Sequence, residues 1–299
     1  MTARTHHSGF LKALRMNWWI ALILILLAFS CLLPILNTVA ISLSNQAYAA
    51  TGRVGLFPVG FTLSSYEKLM AEATFGRSFM ISVARVALGL VLGMTTTILT
   101  AYPLSKSRKA FPLRNAYMWF LVFTMIFNAG TIPWYMQIRN LGLLNTLWAL
   151  VLPCAVSSYN IILMMNFFKG IPREIEEAAI MDGAGAWRIL GQVYLPLSLP
   201  SLATIALFIL VQHWNNFYDG LILMNKPSNY PLQTYIYQLT VRIDPSTISD
   251  SEALREALKV SGLTLNASKL VVSMVPVMAV YPFLQRYFVK GLTLGAVKG

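Results

Sequence analysis

Charged side chains are scarce in this chain, so the places where they gather are the first candidates for chemistry. The 299 residues carry 11 acidic side chains, and four of them, Glu174, Glu176, Glu177 and Asp182, fall in one stretch from Lys169 to Trp187. A second group, Trp214, Asn215, Asn216, Tyr218 and Asp219, sets aromatic rings, amides and a carboxylate inside an apolar run. Aromatic faces stack on the apolar face of a pyranose while amides and carboxylates bond its hydroxyls, so the mixture suits a carbohydrate path. The alternative is that Asp219 caps a membrane helix at the interface and Trp214 packs against lipid or a neighbouring helix. His6 and His7 are adjacent in a polar N-terminus and His213 is alone, so no metal site is expected. Cys31 and Cys154 lie in apolar runs, where a thiol behaves as a small hydrophobe and no disulfide framework follows. The dipeptide Gly-Lys never occurs, which removes the phosphate-cradling Gly-x-x-x-x-Gly-Lys-Ser/Thr loop. Any ATP hydrolysis must come from another chain.

The elements that position these groups are membrane helices. The chain is 57% hydrophobic and only 11% charged, with a mean hydropathy of +0.62, whereas about a quarter of the residues of a soluble domain are charged. A helix needs about 20 apolar residues to cross a hydrocarbon core about 30 Å thick. Six segments meet that requirement: Trp18 to Leu43, Phe79 to Leu104, Asn115 to Met136, Thr146 to Phe168, Ser198 to Leu223 and Leu270 to Gln285. Pro276 and Pro282 predict a kink in the last. The first is too long for a signal-peptide core and reads as a retained anchor, although Ala47-Tyr48-Ala49 loosely mimics a cleavage site. The fold class is therefore an all-α polytopic membrane protein: an N-terminal segment over 1–17, a six-span domain over 18–289 and a tail over 290–299.

The net charge of +12 would suggest nucleic acid in a soluble protein, but here the basic residues sit between apolar runs in no continuous stripe. They suit anionic lipid, and no nucleic-acid partner is expected. Arg and Lys are about twice as dense in the N-terminus, the second-to-third loop, the fourth-to-fifth loop and the tail as in the alternate loops, which places both termini in the cytoplasm. Glu252, Arg255, Glu256 and Lys259 predict a short surface helix over Ser251 to Lys259. Arg85, about six residues into the second span, is expected to snorkel to the outer surface. Gly89 and Gly93 suit close helix packing, within the chain or against a partner chain.

The Lys169 to Trp187 stretch reads as the first arm of a cytoplasmic knuckle. Pro172 suits a first helical position, and Glu174 and Glu176 put negative charge at the positive end of the helix dipole. Ile175, Ala178, Ala179 and Asp182 recur at helical spacing as a face that a partner can approach closely. Asp182-Gly183 ends the helix, since glycine tolerates the left-handed conformation of a helix terminus. A second short helix then carries Trp187, Leu190 and Tyr194 and stops near Leu195-Pro196.

This loop resembles a known motif. Glu177-Ala178-Ala179, three residues, Gly183, nine residues, Val193, one residue and Leu195-Pro196 is similar to the EAA loop of ABC-importer permease subunits, with valine where isoleucine is usual. Trp214-Asn215-Asn216-Phe217 resembles a signature of the carbohydrate branch, of which maltose permeases are typical. Asp219-Gly220 departs from the disaccharide permeases. With the endings Tyr287 to Gly291 and Val297 to Gly299, it looks more like permeases for complex or oligomeric sugars. The resemblance implies a type I ABC importer fold whose six spans carry a coupling loop over 169–197. In it Glu177, Ala178, Ala179, Asp182, Gly183, Leu195 and Pro196 would meet a cytoplasmic ABC ATPase dimer that uses ATP and Mg, with no cofactor on this chain. It further implies a second, related but non-identical permease and an extracytoplasmic sugar-binding protein. The rival readings are an ion-coupled secondary transporter, which lacks a clear midplane site here, and a membrane enzyme acting on lipid-linked sugar, for which no clustered catalytic carboxylates are present.

Overall fold

The structure, a computed structural model, describes residues 18–241, 262–280 and 282. The expected surface helix at 251–259, the whole tail over 290–299 and the basic N-terminal residues lie outside them. Every regular element among the described residues is helical. Three helices are long and apolar enough to cross a membrane unbroken, Trp18–Ser42, Ala73–Ser105 and Gly262–Val280. Three more candidates are bent pairs, which brings the count to as many as six; the first half of the last pair, Ala186–Leu197, falls in the expected 169–197 loop, and the sixth helix begins at Gly262, ahead of the expected Leu270.

The chain divides into two compact units. In the first, the C-terminal end of the Trp18–Ser42 span is tied to the segment that follows it. Asn37 donates to the carbonyls of Val54 and Gly55 at 3.2 and 2.7 Å. Ser65 donates to the Ser42 carbonyl and the Ser42 hydroxyl meets Tyr66 at 2.8 Å.

The second unit is organised around the Ala73–Ser105 span, which packs along Leu199–Asn215 and Ser158–Lys169. Small residues allow the first of these contacts. A methyl group added at Gly89 would lie 2.4 Å from the His213 ring, and one at Gly93 would lie 3.0 Å from Ile209. The Gly-x-x-x-Gly pair therefore serves packing inside this chain.

The breaks have local causes. Arg114–Ile126 and Thr131–Asn140 meet at 114° across Gly130, whose φ of +85° suits glycine alone. Pro133 occupies the first turn of the second half, where its missing N–H costs nothing. Leu147–Cys154 and Ser158–Lys169 meet at 46°, just after Pro153. Ala186–Leu197 and Leu199–Asn215 meet at 83° ahead of Pro200. The Leu199–Asn215 helix ends at Asn216, and Tyr218–Leu223 resumes beyond it.

Candidate functional site

The breaks in the third, fourth and fifth spans converge on one cavity of about 870 Å³. Thr131, Trp134 and Gln137 reach it from the third span, Cys154 from the fourth, and Asn216, Tyr218 and Asp219 from the fifth. Each opening in the backbone is closed by a nearby polar group. Asn128 Oδ1 accepts from Gly130 N at 2.8 Å, and Ser157 Oγ caps Asn160 N at 3.3 Å. Asn216 Oδ1 accepts from Tyr218 N at 3.1 Å, and the Thr234 hydroxyl donates to the Phe217 carbonyl at 2.8 Å.

Arg85 is central to that repair. Its side chain is fully buried, donating through Nη1 to the Asn216 carbonyl and to Asp219 Oδ1, both at 3.1 Å, and through Nη2 to Asp219 Oδ2. The expected snorkelling is overturned: the carboxylate across the helix interface satisfies the guanidinium better than a reach to the surface would. Nothing local to Arg85 points to this partner, which stands 134 positions away.

The five residues of the carbohydrate-like group separate. Asn216, Tyr218 and Asp219 border the cavity, and the Tyr218 hydroxyl meets Thr131 Oγ1 at 3.0 Å. Trp214 is 4% exposed, donates to the Ser273 carbonyl at 3.0 Å and meets the edge of Phe79 at 5.8 Å. It acts as a packing anchor, and neither it nor Asn215 is part of the cavity wall. Trp134, inside the expected third span, and Gln137, just beyond its expected end, were missed because length and hydropathy conceal the break that turns Thr131–Asn140 toward the cavity.

The knuckle lies between the fourth and fifth spans. Its first helix is Arg173–Met181, beginning one position later than expected: Pro172 is its cap, because the extended ψ of 134° there lies outside the helix. The helix closes with two paired carbonyls: Gly183 N reaches Ile180 O at 2.9 Å and Ala184 N reaches Ala179 O at 3.0 Å. That double closure needs a left-handed residue at Gly183, whose φ is +76°. A methyl group there would meet no neighbouring atom, so backbone conformation selects glycine.

The second arm continues further than expected. Ala186–Ile189 passes into a wide π-helical turn, Leu190–Tyr194, and then into Leu195–Leu197 before the bend at Ser198. Pro196 has no N–H to give the preceding turn, and the wider turn absorbs that loss. Ile189, Leu190 and Tyr194 are buried, with Ala179, Val193 and Leu195 packed against the same core. Trp187 points away, at 76% exposed. Met181 is 87% exposed, and Glu177, Ala178, Asp182 and Gly183 are exposed beside it. Among the described residues, Glu177 and Asp182 have no ion pair.

Glu176 instead faces inward. Lys106 Nζ lies 2.5 Å from Oε1, and the Tyr194 hydroxyl donates to Oε2 at 2.7 Å. Burial alone would raise this carboxyl, but the bonds from Lys106 and Tyr194 and the charges of Lys106 and Arg173 outweigh it and hold the group below its ordinary value. Burial pulls the Lys106 ammonium down against the opposing effect of Glu176. The ammonium is 4.1 Å from the centroids of both the Tyr102 and Tyr194 rings, whose faces attract a cation. Burial, then the bond to Glu176, pushes the Tyr194 hydroxyl upward and keeps it a donor.

Residues 87–294 match the family described as the inner membrane component of binding-protein-dependent transport systems. The chain belongs to that family of permeases. The permease is 37% identical over 269 residues to the protein LplC of Bacillus subtilis, covering 90% of each chain. It is 34% identical to the polygalacturonan/rhamnogalacturonan transport system permease YtcP of the same organism, over 92% of this chain and 96% of that one. A crystal structure of a bacterial ABC transporter involved in import of the acidic polysaccharide alginate matches 93% of the permease and 98% of its own chain, with a TM-score of 0.81 and 34% identity. The permease thus has the fold of the type I ABC importer permeases.

Two outcomes follow for the permease. Arg85→Met leaves the buried Asp219 without its countercharge, with only the bonds from Asn216 Nδ2 and Gly220 N remaining, and should cost about 3–5 kcal/mol, seen as a lower melting temperature in detergent; Arg85→Met with Asp219→Leu should recover most of it, leaving the Asn216 carbonyl unpaired. Equal losses in the single and double variants would contradict the assignment. A carboxyl with a depressed folded pKa adds stability that is present above the unfolded value, about 4.3 for glutamate, and disappears as pH falls through the folded one. Hydrogen-exchange protection of Arg173–Met181 should therefore persist from pH 7 to pH 5 and fall only below about pH 4, with no such acid step in Glu176→Gln.

Proposed function

We propose that the protein is the permease subunit of an ATP-driven importer that carries an oligosaccharide or complex sugar across the cytoplasmic membrane. The knuckle over 169–197 faces the cytoplasm and is seated on an ABC ATPase dimer, which binds ATP and Mg. Glu177 and Asp182 orient the partner by charge-assisted bonds, and Ala178 and Gly183 let its surface approach, while Ala179, expected on that face, packs inward against the core instead. Leu195 and Pro196 end the arm that returns the chain to the fifth span. The observation that carries this reading is a rigidly capped helix presenting Met181 and Trp187 to solvent beside two carboxylates that have no ion pair among the described residues.

The basic residues support the orientation. Lys106 of the second-to-third loop touches Glu176 of the knuckle, so both loops lie at one end of the second unit. With Arg108, Lys109, Arg114, Lys169, Arg173 and Arg188 they form the basic side that favours the cytoplasm and anionic lipid. Both termini then lie on that side as well.

The cavity at the broken spans is the path for the sugar, which an extracytoplasmic binding protein delivers and a second, related permease helps to enclose. Asn216, Tyr218 and Asp219, with Gln137 and Trp134, offer hydroxyl-binding groups and a ring face. The carbohydrate polymers in the names of the relatives support an oligosaccharide cargo. Binding of ATP closes the partner, displaces the knuckle and shifts the balance between outward-open and inward-open arrangements.

Gly183→Trp strains the left-handed turn and obstructs the docking surface. Membrane abundance should stay at the wild-type level while ATP-driven uptake in proteoliposomes containing all subunits falls at least tenfold. Uptake at the wild-type rate would count against the proposal.

A further inference from the structure

The knuckle is joined covalently to the fourth and fifth spans, but the second span lies far from it in sequence. The two are connected by a compact ionic clasp. Lys106 follows the last residue of Ala73–Ser105, where the unpaired carbonyls of a helix end favour a cation. Its ammonium sits between Tyr102 of the second span and Tyr194 of the π-helical turn, and Glu176 of the knuckle supplies the countercharge. Phe168, from the end of the fourth span, closes the cluster at 6.3 Å from Tyr102 and 5.3 Å from Tyr194. On the Arg173–Met181 helix, Glu176 and Ala179 face inward while Ala178 and Met181 face out. One face meets solvent and the other holds the end of a span.

The second span is unbroken from Ala73 to Ser105, unlike its neighbours. Lys106 and Arg85 are 21 positions apart, about 30 Å at helical rise. At that distance Arg85 grips Asn216 and Asp219 on the cavity side of the fifth-span break. A clasp, a continuous helix and a buried ion pair thus form one physical connection between the exposed knuckle and the cavity.

We propose that Glu176 is a positioning residue that conveys displacement of the knuckle to the second span, so that cutting its bond to Lys106 separates ATP hydrolysis from transport without undocking the ATPase. This rests on the reading that the knuckle is the docking element. The charge matters because a neutral amide at this position can still accept from Tyr194 but leaves the half-buried ammonium without an anion.

The test uses the complete importer in proteoliposomes, comparing sugar taken up per ATP hydrolysed for Glu176→Gln, Lys106→Met, Lys106→Arg and the Glu176→Gln/Lys106→Met pair. The first two variants should retain the ATPase on copurification and hydrolyse ATP within twofold of wild type, with uptake per ATP reduced at least tenfold. Lys106→Arg keeps both the charge and the ring contact and should stay within twofold of wild type. The pair should be no worse than either single change, since all three cut the same connection. Wild-type uptake per ATP in Glu176→Gln, or loss of the ATPase from it, would overturn the proposal; the latter would make the clasp part of docking. A wild-type chain that retains no ATPase would instead remove the docking reading itself.

Discussion

Backbone groups at membrane depth have no water to bond, so each interruption of a helix must be closed by the chain itself. This constraint explains why the polar residues of an otherwise apolar sequence lie where they do. Asn128, Ser157, Asn216 and Thr234 each close a break, and Arg85 closes the one in the fifth span while neutralising Asp219. A buried ion pair adds little net stability over a well-packed apolar pair, but removing one partner is expensive. The pair is therefore better understood as fixing where the fifth span bends than as a source of stability. The bend in turn places Asn216 and Tyr218 at the cavity.

The knuckle meets the opposite requirement. It is exposed to solvent, where a helix of nine residues would be marginal by itself. It holds its form through the doubly closed turn at Gly183, the core contacts of Ala179 and Val193, and the inward bond of Glu176. These constraints leave Met181 and Trp187 outside, an arrangement suited to the docking surface proposed above.

Length and hydropathy were enough to find the spans, because crossing a membrane sets a length that composition must meet. The left-handed turn at Gly183 was also legible, since local backbone geometry selects glycine there. The breaks were not: a hydropathy window averages across Phe127 to Gly130, and Pro133 lies in a first turn where it leaves no clear signal. Arg85 looked like a snorkelling residue because depth within a span is local information, whereas its partner comes from another helix. Trp214 fitted a sugar platform by type, but its indole N–H is taken by the Ser273 carbonyl. Glu176 was read as balancing the helix dipole, and its bonds to Lys106 and Tyr194 again depend on distant parts of the chain.

The central claim is that an energy-supplying subunit grips the outer face of the knuckle, and cross-linking tests it most directly. In a chain with Cys31 and Cys154 replaced by serine, a cysteine at Met181 should form a cross-link to the ATPase in the assembled importer, with a yield that changes when ATP is bound. The same cysteine should resist a membrane-impermeant thiol reagent added outside intact cells. Labelling from outside, or active importer in which Met181→Cys never meets the ATPase, would contradict the account.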